Sequence, residues 1–229
     1  MFIQWLKTFQ CYYFILPIDL YVIVQELDRL DKKILSILYS ARLLSIDPKE
    51  ALKDSIYDEG LLETRLDHLY KQNLITRDLR ITDKGKDCLQ IVFAGGVFDI
   101  IHPGHIHTLR SAKSLGDILV VVIARDSTAI KSKGKKPMHN EHLRCELVGS
   151  LKFVDAAILG REGDIFKSVE YVRPNIIALG YDQVHEESLI AEECKKRGLN
   201  IQVIRLDSPI PDLKSTRIKE LLGKSIYNF

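Results

Sequence analysis

The strongest constraint on the fold is a repeating pattern in the second part of the chain, where short apolar runs alternate with amphipathic segments. The apolar runs predict strands at Ile91–Ala94, Ile118–Ile123, Ala156–Leu159, Ile176–Leu179 and Ile201–Ile204. The amphipathic segments predict helices at His105–Leu115, Glu141–Leu151, Ile165–Val172 and Glu186–Arg197. Because strands that are apolar throughout must be covered on both faces, the pattern predicts a parallel sheet of an α/β fold, with helices on both sides.

The turn between the first predicted strand and the first predicted helix contains three glycines and two histidines. Residues 95–105 read G-G-V-F-D-I-I-H-P-G-H, so His102 and His105 flank Pro103 and Gly104. The first turn of a helix offers unpaired backbone N–H groups and a positive dipole end, and glycine lets the backbone approach an anion closely. Imidazoles beside such a turn can donate protons to oxygens that gain negative charge. This turn therefore predicts a binding site for a nucleoside triphosphate.

Two acidic residues also follow predicted strands directly. Asp126 comes shortly after the strand at Ile118–Ile123, and Asp182 comes after the strand at Ile176–Leu179. In open parallel sheets, ligands bind beyond the carboxyl ends of the strands. We therefore expect one crevice to collect these carboxylates together with the two histidines.

A basic loop at Lys131–Lys136 reads K-S-K-G-K-K. Such a run is often no more than a solvated surface. At the mouth of a phosphate site, however, flexible ammonium groups would neutralise the outer phosphates of a nucleotide. Lys133 and Lys135 are the favoured candidates, and Arg144 on the next predicted helix is a further one.

Residues 27–89 have a different, mainly helical pattern. Two apolar stripes at helical spacing predict a first and a third helix, and Asp47-Pro48 predicts the start of a short second helix between them. Two short strand-like runs within Leu74–Thr82 and the segment Asp83-Lys84-Gly85-Lys86 follow, an order typical of a winged helix-turn-helix domain. From residue 28 to residue 87 there are twelve Lys or Arg and twelve Asp or Glu. A DNA-binding module normally presents clustered positive charge, so DNA binding through Arg65 and His68 is less favoured than dimerisation or packing on the neighbouring domain.

Residues 1–26 form an apolar N-terminal extension. Five residues interrupt the apolar run up to Val24, namely Gln4, Lys7, Gln10, Pro17 and Asp19. The run is therefore a poor membrane span, and it lacks the basic start and small-residue cleavage site of a signal peptide. We expect a helix that either covers an apolar face of the same chain or forms a subunit contact. In the second case the protein would be a homodimer.

Charge and cysteine usage exclude several classes of protein. The net charge is +2, which gives no general case for binding nucleic acid or a membrane surface. The cysteines at positions 11, 88, 145 and 194 form no C-x-x-C pair. A disulfide framework and a cysteine metal cage are therefore both disfavoured, and a cytoplasmic protein with reduced thiols is expected.

The turn at residues 95–105 resembles the signature G-T-F-D-x-x-H-x-G-H of the cytidylyltransferase-like nucleotidyltransferases. The resemblance extends over about Ile91 to Lys219, and its supporting segments are Ala124–Thr128, Lys133–Pro137, Val154–Gly160 and Ile177–Gln183. Within this superfamily the chain is most similar to the archaeal-type FAD synthases. The resemblance implies a Rossmann-like nucleotidyltransferase domain at residues 90–229, preceded by the small winged helix-turn-helix domain at 27–89.

The resemblance also implies roles for individual residues. His102 and His105 would contact triphosphate oxygens, while Val97, Phe98, Pro103 and Gly104 would border the nucleotide. Asp182 lies where similar enzymes touch the nucleotide. A second signature is partly matched by Leu213–Ile218, where Ser215 or Thr216 would cap the last helix and donate to phosphate. Asp99 is expected to brace its turn rather than touch the substrate.

Three positions depart from the family pattern. Val97 stands where Thr is usual, so a hydroxyl contact is lost although the backbone N–H remains. Lys214 replaces a small polar residue. The Arg that glycerol-phosphate cytidylyltransferases carry before their second signature falls on Pro209, which disfavours a glycerol-phosphate substrate.

The activity that the resemblance implies is FMN adenylyltransferase, in which ATP and FMN give FAD and pyrophosphate. Mg²⁺ would be bound mainly through the triphosphate, because no carboxylate cluster predicts a metal cage in the protein. The flavin would need an aromatic surface, for which the candidates are Tyr181, Phe166, Tyr227 and Phe229. The alternatives are a CTP-dependent cytidylyltransferase acting on a small alcohol phosphate, such as glycerol 3-phosphate, and a ligand-sensing DNA-binding regulator.

Overall fold

The structure is a computed structural model of the chain. It describes residues 27–56, 58–134, 136–181, 183, 186–207 and 218, and for Ser132 and Lys133 it describes the backbone alone. The N-terminal extension and the second signature therefore lie outside the described residues.

The described chain begins with four helices and one short bridge between strand-like segments. The helices are α1 (Arg29–Leu44), α2 (Pro48–Lys53), α3 (Glu59–Lys71) and α4 (Asp83–Asp87). Asp28 caps α1 in a reciprocal capping box with Asp31, and Asp47 caps α2 just before its first-turn Pro48. Ile75 and Ile81 form a single antiparallel bridge between α3 and α4. The winged-helix interpretation of residues 27–89 remains a prediction.

Five parallel strands form one sheet, as the apolar runs predicted. They are β1 (Ile91–Gly96), β2 (Ile118–Ile123), β3 (Ala156–Leu159), β4 (Ile176–Leu179) and β5 (Gln202–Arg205), in the order β3-β2-β1-β4-β5. β1 is two residues longer than predicted, because Gly95 and Gly96 pair with Val122 and Ile123 of β2. β5 is shifted by one residue along the chain.

The helices of the second part lie between these strands. They are α5 (Pro103–Lys113), α6 (Asp126–Lys133), α7 (Glu141–Gly149), α8 (Ile165–Val172) and α9 (Glu187–Lys196). Helix α6 was not predicted, because only Ala129 and Ile130 are apolar within it and they form no stripe. It ends at Gly134, which adopts the left-handed conformation common at helix C-termini.

The two faces of the sheet belong to different hydrophobic clusters. One face packs against α5 and α7 in a cluster that includes Val92, Ala94, Leu109, Val121 and Val148. The other face shares a cluster with α8, α9 and the N-terminal helices, whose buried members include Ile34, Leu35, Leu69, Phe93 and Val120. Residues 27–89 therefore pack on the sheet and help to bury it.

Tyr39 of α1 also makes a buried polar contact with the second part of the chain. Its phenol Oη donates a hydrogen bond to the backbone O of Val172, at 2.7 Å. Burial raises the pKa of this phenol to about 12, from an ordinary value of 10.0. The folded protein therefore keeps the Tyr39 proton at pH values where the unfolded chain releases it.

This contact predicts a specific loss of stability in alkali. Between pH 10 and 12 the folded state binds more protons than the unfolded state, so the free energy of unfolding should fall by about 1.4 kcal/mol per pH unit. We expect Tyr39→Phe to be about 1 kcal/mol less stable than the wild type at pH 8, where it lacks the hydrogen bond. Urea unfolding of both proteins should show this difference shrinking at pH 11. A difference in stability that stays constant or grows between pH 8 and pH 11 would contradict the raised pKa of Tyr39.

Two findings bear on predicted partners. The Arg65 guanidinium pairs with the carboxylates of Asp28 and Asp31, so one of the two side chains expected to reach DNA bases is already engaged.

Among the residues that the structure describes, none of the helices combines the length and the apolar character that crossing a bilayer requires.

Candidate functional site

The predicted turn lies where the order of the strands changes direction. From β1 the chain continues through β2 and β3 on one side of the sheet, and it then crosses to β4 and β5 on the other. The loops that follow β1 and β4 therefore leave neighbouring strands in different directions, an arrangement that forms a crevice in open α/β sheets. Ligands of open α/β sheets bind at such a point.

The start of α5 brings the backbone of the predicted turn to this crevice. His102 is the N-cap residue, with extended backbone, and Pro103 occupies the first helical turn. The His102 side chain makes no capping hydrogen bond. The described helices α6 and α9 also lack a capping side chain, whereas α1, α2, α3, α4, α7 and α8 begin at a residue whose side chain accepts from the first turn. A capping side chain therefore does not compete with an anion at the start of α5.

The imidazole rings of His102 and His105 lie side by side. Their centroids are 3.9 Å apart and the rings are tilted by 30°. His102 is only 9% exposed, whereas His105 is half-buried. The ring of Phe98 meets His105 edge-on, with 5.2 Å between the centroids. The structure thus brings together the two histidines and the aromatic ring that the sequence singled out.

The backbone before the histidines is held in an unusual conformation. Phe98 has a φ of 50°, in the left-handed region that large side chains rarely adopt. Its ring lies over Gly96, where an added Cβ would be 2.8 Å from Phe98 Cε2. Glycine at position 96 is therefore needed to seat the ring that supports His105.

Asp99 braces a segment that is distant in sequence. Its buried carboxylate accepts hydrogen bonds from the backbone N–H of Met138 and of His139, both at 2.9 Å. The His139 Nδ1 atom lies 3.0 Å from the Asp99 carbonyl O. Asp99 therefore joins the turn after β1 to the segment that leads into α7.

Arg144, which the sequence offered as a further phosphate partner, has its guanidinium engaged within the protein. It is fully buried, and its guanidinium donates to the backbone O atoms of Val97, Ala124 and His139. It also pairs with the Asp126 carboxylate at 2.7 Å. Asp126 thus lies after β2 as expected, but its carboxylate pairs with the Arg144 side chain of the protein itself.

A second carboxylate secures the loop after β2. Glu141 accepts from the Arg125 Nη1 atom at 2.7 Å and from the Asp126 N–H at 2.8 Å. The backbone hydrogen bond from Asp126, assisted by Arg125, lowers the pKa of Glu141 below its ordinary value. The loop is therefore held by a carboxylate that stays ionised.

The loop after β4 is attached to the end of β1 by residues that the sequence did not single out for this role. The Gln183 amide donates to the Gly95 carbonyl O at 2.9 Å. The Arg205 guanidinium donates to the carbonyl O atoms of Gly180 and Gln183 at 3.1 and 2.9 Å. These contacts join segments up to 88 residues apart in sequence, so no local motif signals them.

Several predicted site residues are not described. Lys135, Asp182, Ser215 and Thr216 lie outside the described residues, as do Tyr227 and Phe229, and Lys133 is described by its backbone alone. Of the other aromatic candidates, Tyr181 is half-buried at the end of the β4 loop. Phe166 stacks with the Arg197 guanidinium at 4.9 Å and packs on the sheet cluster, so its ring is already engaged.

Neither a metal cluster nor the groove along β3 involves the predicted site residues that the structure describes. Within the described part of the chain, no group of three or more His, Cys, Asp or Glu could hold a metal ion. A separate groove of about 540 Å³ runs along the outer edge of β3, between α7 and the end of α1. The predicted site residues that the structure describes do not line it.

Comparisons with known proteins agree with this geometry. Residues 93–221, more than half of the chain, match the cytidylyltransferase-like family model. The chain is 55% identical over 130 residues to the FAD synthase of Aciduliprofundum boonei, covering 55% of this chain and 85% of that protein. It is 51% identical over 138 residues to the FAD synthase of Picrophilus torridus, covering 58% of this chain and 99% of that protein.

A solved structure gives a similar result. The lipopolysaccharide core biosynthesis protein from Thermoplasma volcanium is 49% identical, with a TM-score of 0.51. The match covers 52% of this chain and 98% of that one. Residues 27–89 lie outside the family-model match, so they are an addition to the matched domain.

Proposed function

The chain belongs to the cytidylyltransferase-like family, and we propose that it is an FMN adenylyltransferase that makes FAD and pyrophosphate from ATP and FMN. The observation that carries this proposal is the identity of 55% and 51% to two FAD synthases, aligned over most of their lengths. The paired histidines at the start of α5 supply geometry that suits this chemistry.

The reaction is a displacement at phosphorus that requires no protein nucleophile. A phosphate oxygen of FMN attacks the α-phosphorus of ATP, the bond from that phosphorus to the bridging oxygen breaks, and pyrophosphate leaves with the bonding electrons. The protein contributes positioning and stabilisation of charge.

His102 and His105 would supply the charge stabilisation. Both rings lie beside the first turn of α5, and protonated imidazole nitrogens would donate to triphosphate oxygens as negative charge accumulates. Gly104, which has no side chain, would allow the triphosphate to approach the backbone closely. Val97, Phe98 and Pro103 would border the nucleotide, with Phe98 also supporting His105.

The remaining contacts are proposed from the family resemblance. Lys133 and Lys135 would neutralise the β- and γ-phosphates. Asp182 would contact the nucleotide, and Ser215 or Thr216 would donate to phosphate. Mg²⁺ would enter with ATP as part of the substrate, because the described residues hold no cluster suited to a metal of their own.

The runner-up enzyme is a cytidylyltransferase acting on a small alcohol phosphate. Pro209 disfavours it, since it stands where glycerol-phosphate enzymes carry an Arg. A DNA-binding regulator is disfavoured by the balanced charge of residues 28–87 and by the pairing of Arg65 with Asp28 and Asp31. Salt-dependent retention on duplex DNA would revive the regulator.

One assay separates these activities. The purified chain is incubated with Mg²⁺ and each pair of ATP or CTP with FMN or glycerol 3-phosphate, and the products are separated by chromatography. We expect FAD and pyrophosphate from ATP and FMN, with far less product from the other pairs. A cytidine product would favour the runner-up enzyme, and the absence of any dinucleotide product would overturn the proposal.

A further inference from the structure

Two buried charged residues connect the segments that surround the candidate site. Arg144 is fully buried on α7, and Asp99 is 6% exposed in the turn after β1. Both contact His139, at the point where the chain leaves the lysine-bearing segment 131–137 and approaches α7. The exit of that segment is thus attached to the site turn by two separate side chains.

Arg144 holds three loops at once. It donates to Val97 O in the turn after β1, to Ala124 O after β2 and to His139 O before α7. The planar guanidinium sends its donors in fixed directions, so these three carbonyls are held at fixed separations. The carbonyl of Val97 belongs to the peptide that precedes Phe98, whose ring supports His105.

Asp99 fixes the same exit from the opposite direction. Its two carboxylate oxygens accept from the adjacent N–H groups of Met138 and His139. Successive amides held by one carboxylate leave this stretch of backbone little freedom. The distance between the histidine turn and the end of the lysine-bearing segment is therefore set mainly by Asp99 and Arg144.

We infer that Asp99 and Arg144 are positioning residues for nucleotidyl transfer, which hold the end of segment 131–137 in register with the His102–His105 pair. This inference rests on the proposed function. The buried ion pair of Arg144 with Asp126 is a weak source of stability compared with apolar packing, so we assign the role of Arg144 to the geometry that it imposes on its partners. The Arg144 and Asp99 contacts given above go to the segments that follow β1 and β2 and to the segment before α7.

The expected effect follows from the sensitivity of displacement reactions to alignment. A shift of about 1 Å in a positioning group can cost about a hundredfold in rate. Arg144→Lys keeps the charge but replaces the fork by a single ammonium, which cannot reach all three carbonyls. Asp99→Asn keeps the size but replaces one acceptor with a donor that faces an N–H group.

The test compares these variants with Arg197→Lys. Arg197 also forms three ion pairs, with Asp164, Glu170 and Glu193, but these lie on α8, α9 and the loop before α8, away from the site. We expect Arg144→Lys and Asp99→Asn each to lower kcat by about ten- to a hundredfold, with KM for ATP changed by less than about threefold. Arg197→Lys should keep wild-type kcat.

The double variant adds a second criterion. If both residues act on one segment, Asp99→Asn and Arg144→Lys together should lower kcat by much less than the product of the single effects. Fully multiplicative losses would show that the two side chains act separately, and would overturn the inference.

Amide hydrogen exchange provides a readout that does not depend on turnover. Exchange at residues 131–139 should be faster in Arg144→Lys and in Asp99→Asn than in the wild type, and unchanged in Arg197→Lys. This result would stand even if the wild type made no FAD, so failure of the proposed function is distinguishable from failure of the inference. If Arg144→Lys does not fold, Asp99→Asn carries both measurements. The positioning inference would be overturned if the folded variants kept the wild-type kcat. It would also be overturned if kcat fell while hydrogen exchange at residues 131–139 stayed at the wild-type rate.

Discussion

Replacing His105 with Ala is expected to lower kcat for FAD formation by about a hundredfold or more. The ring lies 3.9 Å from His102 and is supported by Phe98, beside the first turn of α5. Its loss removes a donor aimed at the charge that develops on the triphosphate. Folding should be nearly unaffected, because Ala is favourable in a helix and the residue is only half-buried.

His107→Ala is the matched control for this variant. His107 is a half-buried histidine two residues further along the same helix, and so it points away from the side of α5 that carries His105. Steady-state rates with ATP and FMN should be near normal for His107→Ala. Near-normal rates for His105→Ala would exclude a role of His105 in stabilising charge. Equal losses in both variants would show that the effect comes from a change in the helix, not from the His105 ring.

Replacing Leu35 with Asp should destabilise the whole described chain. Leu35 is fully buried in the cluster that α1 shares with the sheet. The change removes apolar contacts and buries a carboxyl group without a partner, at an expected cost of about 5 kcal/mol. Because domains are typically stable by about 5–15 kcal/mol, this loss approaches the entire margin.

The same variant tests whether residues 27–89 unfold separately from the sheet. We expect urea unfolding to show one transition, shifted to lower urea, with FAD synthesis lost over the same range. Leu61→Asp on α3 serves as the control, since Leu61 is 42% exposed and should tolerate the charge. A variant that loses helical signal early but keeps full activity would show that the two parts are independent.

The sequence predicted the features that depend on local pattern. The strands were found because each is a continuous apolar run, and the histidine pair was found because its four residues are contiguous. Helix α6 was missed because its side chains form no apolar stripe and its start depends on contacts of Asp126 with α7.

The contacts that hold the site could not be predicted from local sequence patterns. Charge suggested that Arg144 faces phosphate, but a cation can also be buried when carbonyl groups converge on it, and only the fold shows that convergence. The contacts of Gln183 and Arg205 carried no local signal, since the first depends on the pairing of β1 with β4 and the second on the pairing of β4 with β5. The face on which residues 27–89 pack was likewise not predictable, because both faces of the strands are apolar.

The shared cluster of α1 and the sheet has a practical consequence for anyone who wishes to shorten this protein. A cut just before Gln90 would remove the helices of residues 27–89 from the cluster that also contains Phe93 and Val120, leaving only the packing of α8 and α9 on that face. We therefore expect a shortened protein to gain solubility from polar replacements on that side of the β-layer.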